Sequence, residues 1–154
     1  IGQTLLEVMN KYRGQDADFS CSFLLGGQIL GEEPKLYNIY PQGNFIAATQ
    51  DTPYFQIGES KYGKPILDRA LYFNTSIDKA LRCALISFDS TIRSNLSVGT
   101  PLDLFVYQNH SFHLPEGRRL FDDDPYFNMI RTQWSEGLQQ VLAQLPPPPP
   151  DYWQ

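Results

Sequence analysis

The chain has 154 residues, 42% of them hydrophobic and 19% charged, which fits one globular domain and excludes a disordered chain. A net charge of -5 argues against nucleic acid or an anionic membrane as the main partner, and no apolar run approaches the ~18 residues of a membrane span. The aromatic share of 14% implies a large core or a large interface. Cys21 and Cys83 sit far apart in apolar segments, as expected of buried free thiols in a reducing, cytoplasmic setting.

From Ile1 to about Tyr12, Leu5, Leu6, Val8 and Met9 suggest the tail of a helix already under way, with Gly14 as a stop signal. Phe19 to Leu30 alternates at first and then becomes continuously apolar, which predicts a strand with a bulge or close backbone approach at Gly26-Gly27. Lys35–Tyr40 and Asn44–Ala48 predict a hairpin around Pro41-Gln42-Gly43, and Tyr54–Ile57 a short fourth strand.

The period then changes. Lys64–Leu71 predicts a short helix with Pro65 in its first turn. Ser76–Ile92 is the strongest helix signal: Thr75 and Asp78 form a capping-box pattern. Ile77, Leu81, Ala84, Leu85, Phe88 and Ile92 recur at spacings of three and four. Asp78, Lys79, Arg82 and Asp89 fall away from that stripe, and Asp89 with Arg93 suggests a surface ion pair. Leu102–Tyr107 and Ser111–Leu114 predict a second hairpin around Gln108-Asn109. Asp122-Asp123-Asp124-Pro125 opens the last helix, whose apolar stripe runs from Tyr126 to Leu145, before Pro146–Pro150 stop it. Residues 1–145 thus form one domain and 146–154 a proline-rich tail that is flexible or packs as a short strap. Strands in antiparallel hairpins and helices in blocks make the class α+β.

No metal site is expected. His110 and His113 lie three apart on a predicted strand and so on opposite faces, helix capping accounts for Asp122–Asp124, and Cys21 has no nearby His to activate it. Residues Asp89 to Val106 leave a helix, cross a Ser/Asn/Gly loop and enter an apolar strand, a common way to build one wall of a site.

Two segments, GNFIAATQDTPYFQIGESKYGKPILDRAL and DSTIRSNLSVGTPLDLFVYQ, in that order and with a helix between them, resemble the ancestral β-subunit (Anbu) branch of bacterial proteasome-type proteases. The resemblance covers nearly the whole chain and leaves out only PPPPPDYWQ. It implies part of an αββα four-layer sandwich of the N-terminal nucleophile hydrolase type, with antiparallel sheets. It also implies amide-bond hydrolysis of peptide substrates without a cofactor, and self-association into a ring or an open helical homo-oligomer. The nucleophile of that family is the first residue of the mature subunit, usually Thr, with its own amine as base and a Lys and Asp nearby. The chain resembles the C-terminal part of such a subunit, so all three are expected upstream and no catalytic residue is placed on it.

Accessory positions do match. A Gly-Ser-Gly loop of the family falls on Gly58, Glu59 and Ser60, with Glu59 in place of Ser. An Asp-x-x-Ser-Gly loop falls on Ser94, Asn95, Ser97 and Gly99, with Ser94 where Asp stands, so that Asn95 or Glu59 is left to supply the missing polar group. The alternative is a non-catalytic scaffold or an inactive fragment. A sandwich lacking its early strands is expected to leave apolar sheet surface and an open strand edge exposed.

Overall fold

The computed structural model describes residues 1–14 and 18–153. Helix α1 (Gly2–Lys11) leads into the antiparallel sheet β1 (Phe23–Gly27), β2 (Lys35–Ile39) and β3 (Phe45–Ala47), paired in that order. Helices α2 (Lys64–Ala70) and α3 (Ile77–Ser94) follow, then β4 (Leu102–Leu104) and β5 (Arg118–Leu120) as a second antiparallel pair, then α4 (Pro125–Gln144). A 3-10 turn, Pro150–Trp153, ends the described tail, and Gln154 lies outside the described residues.

The core joins the second sheet to the two long helices. Leu85 of α3, Leu102 of β4, Leu120 of β5, and Phe127 and Ile130 of α4 form one buried cluster, with Leu81, Ile86 and Ile92 packed against it. Phe127 is wholly buried. Its position is fixed by a local device anticipated from the acidic run: Asp124 caps α4, accepting the Phe127 N–H at 2.9 Å, and Arg118 of β5 pairs with the same carboxylate at 2.9 Å. Helix α2 crosses α3 at Gly63. A Cβ there would sit 2.1 Å from Ser87 Oγ and 3.0 Å from Ser87 O, so only glycine admits the approach.

Several expectations need correction. Asp89 is not on the surface. It is 2% exposed, and its carboxylate is held by Arg93 at 3.1 Å and by Arg131 of α4 at 2.8 Å. Ile77 and Phe88, assigned to the buried stripe, are exposed, while Cys83, Ser87 and Thr91 are buried, so α3 is turned relative to the expected face. The capping box does not form: Ser76 is the N-cap, and Thr75 Oγ1 instead accepts the Tyr72 N–H at 2.8 Å.

The expected strand 19–30 contracts to Phe23–Gly27. Ahead of it, the Asp18 carboxylate accepts both the N–H and the hydroxyl of Ser20, a local turn that competes with pairing. Gly26 and Gly27 pair one-for-one with Leu36 and Lys35, without a bulge. Tyr54–Ile57 forms no strand. The second hairpin has a different partner: β4 pairs with Arg118–Leu120, not with Ser111–Leu114. His110 and Phe112 adopt φ of 60° and 48°, which a strand does not tolerate, and Gln28 captures the segment. Its Oε1 accepts from Tyr107 OH at 3.0 Å and from the His110 N–H at 2.8 Å. Cys83 is buried and Cys21 half-buried, both as free thiols.

Apolar sheet surface is exposed, as expected. Phe23, Leu24, Leu25, Phe45 and Ile46 are all open to solvent, and β1 has a free edge.

Two outcomes follow for stability. Replacing Asp89→Ala leaves the Arg131 guanidinium, four-fifths covered, with only the exposed Asp122 carboxylate, at 3.3 Å, as an ion partner. A loss of about 2–4 kcal/mol is expected in urea denaturation, against a much smaller one for Asp78→Ala on the solvated face. Asp124 titrates in the opposite sense to a buried neutral acid. The Phe127 N–H and then the Arg118 guanidinium hold its carboxyl below the usual carboxylate range. A folded value below the unfolded one means that its contribution is complete above the unfolded value and is lost as pH falls through the folded one. Asp124→Asn keeps the cap but has no proton to take up, so its melting temperature falls less between pH 7 and about pH 2 than that of the parent.

Candidate active-site wall

Two loops meet at one end of α3. The first follows the extended segment 54–57, where Gly58 takes φ of 76° and turns the chain toward α2. The Ser60 carbonyl then accepts the Lys64 N–H at 3.0 Å and starts that helix. The second loop begins where Asn95, in extended conformation, ends α3 with its N–H still bonded to Thr91 O.

Glu59 and Asn95 join the two loops across 36 residues of sequence, with Asn95 Nδ2 donating to Glu59 Oε2 at 3.0 Å. Glu59 Oε1 accepts the Lys61 backbone N–H at 2.9 Å, so that carboxylate braces its own loop rather than pairing with the Lys61 or Lys64 ammonium. Asn95 Oδ1 accepts from both the Ser97 N–H at 2.9 Å and the Ser97 hydroxyl at 2.7 Å, a closed Asx turn. The result is one directed chain from Ser97 through Asn95 to Glu59.

Its chemistry is definite. The Ser97 hydroxyl spends its proton on an amide oxygen, which is no general base, so among the described residues nothing activates Ser97 as a nucleophile. Its remaining lone pair is free to accept an N–H from outside. Ser97 is exposed, Asn95 half-buried and Glu59 half-buried, so the wall faces solvent with its support behind it.

The other expected members are not drawn into this chain. Ser94 ends α3 exposed, and Gly99 has nothing within 4 Å of an added Cβ. Ser60 faces a separate cavity of about 650 Å³. There Tyr54 OH donates to Asp68 Oδ1 at 2.5 Å, and Lys64 Nζ reaches the same oxygen at 2.8 Å. The Lys64 ammonium holds the Asp68 carboxyl below its ordinary range, and the Asp68 carboxylate raises Lys64 in turn. Burial lifts the Tyr54 phenol above its usual value. The Lys64–Asp68 spacing of four signals this pair in the sequence, but nothing there signals Tyr54.

Comparison with known proteins decides the lineage. The profile of the family described as "Proteasome subunit" matches residues 5–106. The chain belongs to the proteasome-subunit family. Solved structures place it in the Anbu branch. It is 62% identical to the subunit in the helical assembly of the Anbu complex from Pseudomonas aeruginosa, with a TM-score of 0.92 over 98% of this chain and 64% of that one. It is 59% identical to Anbu from Yersinia bercovieri, with a TM-score of 0.88 over 96% of this chain and 62% of that one. Against Anbu from Hyphomicrobium sp. strain MC1 the identity is 45% and the TM-score 0.86, over 96% of this chain and 61% of that one. The chain therefore spans less than two thirds of the length of these three relatives. No curated protein matches it. Its fold is accordingly part of the αββα sandwich of N-terminal nucleophile hydrolases.

The bonded chain makes a local prediction. Asn95→Ala removes the acceptor of the Ser97 N–H, worth about 1 kcal/mol, so hydrogen exchange at the Ser97 amide rises roughly fivefold. Ser94→Ala, by contrast, leaves that exchange rate unchanged.

Proposed function

We propose that these residues form the supporting wall of a proteasome-type threonine peptidase subunit, which hydrolyses amide bonds of peptides through an N-terminal nucleophile carried by sequence ahead of Ile1. The observation that carries this reading is the polarity of the Ser97 hydroxyl. With its proton given to Asn95, it presents a fixed acceptor, which suits the N–H of a neighbouring α-amine. That amine is the general base of this class, and holding it in one rotamer is an orienting task that needs no charge on Ser97. Glu59, tied behind Asn95, keeps a carboxylate in the wall although Ser94 stands where the family has Asp. Membership of the family supports amide hydrolysis, no cofactor and a cytoplasmic location. The helical assembly of the Pseudomonas relative supports self-association of this chain into an open helical homo-oligomer.

The test is made on the complete gene product. Intact mass and a β-lactone probe that acylates an N-terminal threonine are read together. The expected result is one covalent adduct on a mature Thr, with labelling slowed on the order of tenfold to a hundredfold by Ser97→Ala and no change in melting temperature. A product that begins at Ile1, or one with a mature Thr that the probe never modifies, sinks the catalytic reading and leaves a scaffold subunit.

A further inference from the structure

We propose that the C-terminal arm of one copy, residues 146–153, seats its proline run in an aromatic groove on a second copy of the same chain. This rests on the self-association proposed above and assigns it a surface.

The arm is exposed along its whole described length. Helix α4 buries Phe127 and Ile130 in its first two turns, and its last two turns turn outward: Leu138, Val141, Leu142 and Leu145 are all more than half exposed. From Gly137 to Pro150 there is no Asp, Glu, Lys or Arg. Tyr152 and Trp153 then stand about three-quarters exposed on the 3-10 turn, where the Tyr152 N–H bonds Pro149 O at 3.0 Å. An aliphatic stretch that carries no charge before Asp151 and ends in two aromatics has the composition of an interface centre, where charges are depleted and Tyr and Trp enriched.

The prolines narrow the partner. Pro146–Pro150 offer no N–H and so cannot extend a sheet edge. Pro146–Pro149, ahead of the 3-10 turn, favour a polyproline II helix about 12 Å long at ~3.1 Å per residue, whose stiffness lowers the entropy lost on binding. Such helices dock in grooves lined by aromatic rings. The chain carries one: a cavity of about 1120 Å³ between the end of β1 and the 105–115 segment, walled by Phe73, Phe105, Tyr107, Phe112, Leu114 and Pro115. Leu114 is 94% exposed, and Phe73 and Phe105 are largely so. Tyr107 is held in place by its bond to Gln28. No residue of the arm lines this groove in its own chain.

Arm and groove are different surfaces, so their contact is head-to-tail. Contacts of that kind propagate into open helices when the rotation does not close a ring, which agrees with the helical assembly of the Pseudomonas relative. The one charge of the arm is Asp151, and Lys35 lines the groove, so the two surfaces bring opposite charges to the contact.

The test uses the complete gene product in sedimentation velocity. An arm variant ends at Leu145, and a groove variant carries Phe73→Ser and Leu114→Ser, both solvent-exposed positions that cost little folding stability. Tyr152→Ala with Trp153→Ala serves as a milder arm variant. Each alone is expected to associate roughly tenfold or more weakly than the parent. Mixed, the first two are expected to form one-to-one pairs that grow no further, because one supplies the only groove and the other the only arm. Assembly that persists without the arm, or a mixture that forms no pairs, overturns the arm–groove contact and leaves self-association standing. A parent that is monomeric at every concentration overturns both.

Discussion

The structure depends on where one carboxylate lies. Asp89 sits on α3 with almost no access to water, and an unpaired ion in that position costs several kcal/mol. Arg131 meets it from α4 at 2.8 Å while its guanidinium lies 5.2 Å from the centre of the Phe127 ring. That contact ties the two long helices together beside the packing of Leu85 against Phe127 and Ile130. The constraint continues outward. Phe127 is fixed by the Asp124 cap, Asp124 by Arg118, and Arg118 belongs to β5, whose neighbour Arg119 grips Asp103 of β4 with two bonds of 2.7 and 2.8 Å. The loop carrying Ser97 leaves α3 and enters β4, so both of its ends are anchored in this one chain of contacts. These supports flank the wall, since Asp89 lies in the last two turns of α3 and β4 begins directly after the loop.

The first sheet is held on different terms. None of its residues is buried, and its described link to the 105–115 segment is polar, through the side chain of Gln28. Phe23, Leu24 and Leu25 are consecutive, so β1 presents apolar side chains on both faces. Strands of that pattern belong to layers covered on both sides, and an αββα sandwich provides such cover. The exposed apolar side chains of β1 fit that pattern, and the chain spans 64% and 62% of the first two relatives described above.

What the sequence made legible was local. Helix periodicity marked α3 and α4, and the acidic run before Pro125 marked the cap, because capping acts within four residues. The buried role of Asp89 was not legible. Arg93, four residues on, already satisfies a surface reading, and the decisive partner lies 42 residues away. The partner of β4 was misplaced for a related reason: strand pairing is non-local, and the positive φ of His110 and Phe112 leaves no trace in residue type, since neither is glycine. Of the expected wall, the resemblance located the two loops, but only the fold shows that Glu59, Asn95 and Ser97 are joined while Ser94 and Gly99 stand apart. Spacing along the chain does not encode a hydrogen bond across 36 residues.

That selective joining bears on the proposed chemistry. A carboxylate in direct contact with an α-amine favours its ammonium form, and an ammonium cannot act as a base. Here the residue next to Ser97 is an amide. It orders the hydroxyl and carries no charge, and the carboxylate bonded to that amide, Glu59, stands one side chain further back. Displacing the charge behind Asn95 weakens its pull on any amine seated at Ser97, while the geometry of the acceptor is kept. In the proposed site such a wall removes one bias toward the ammonium and contributes orientation, so the departure at Ser94 bears on the charge beside the amine and not on the geometry that Asn95 imposes.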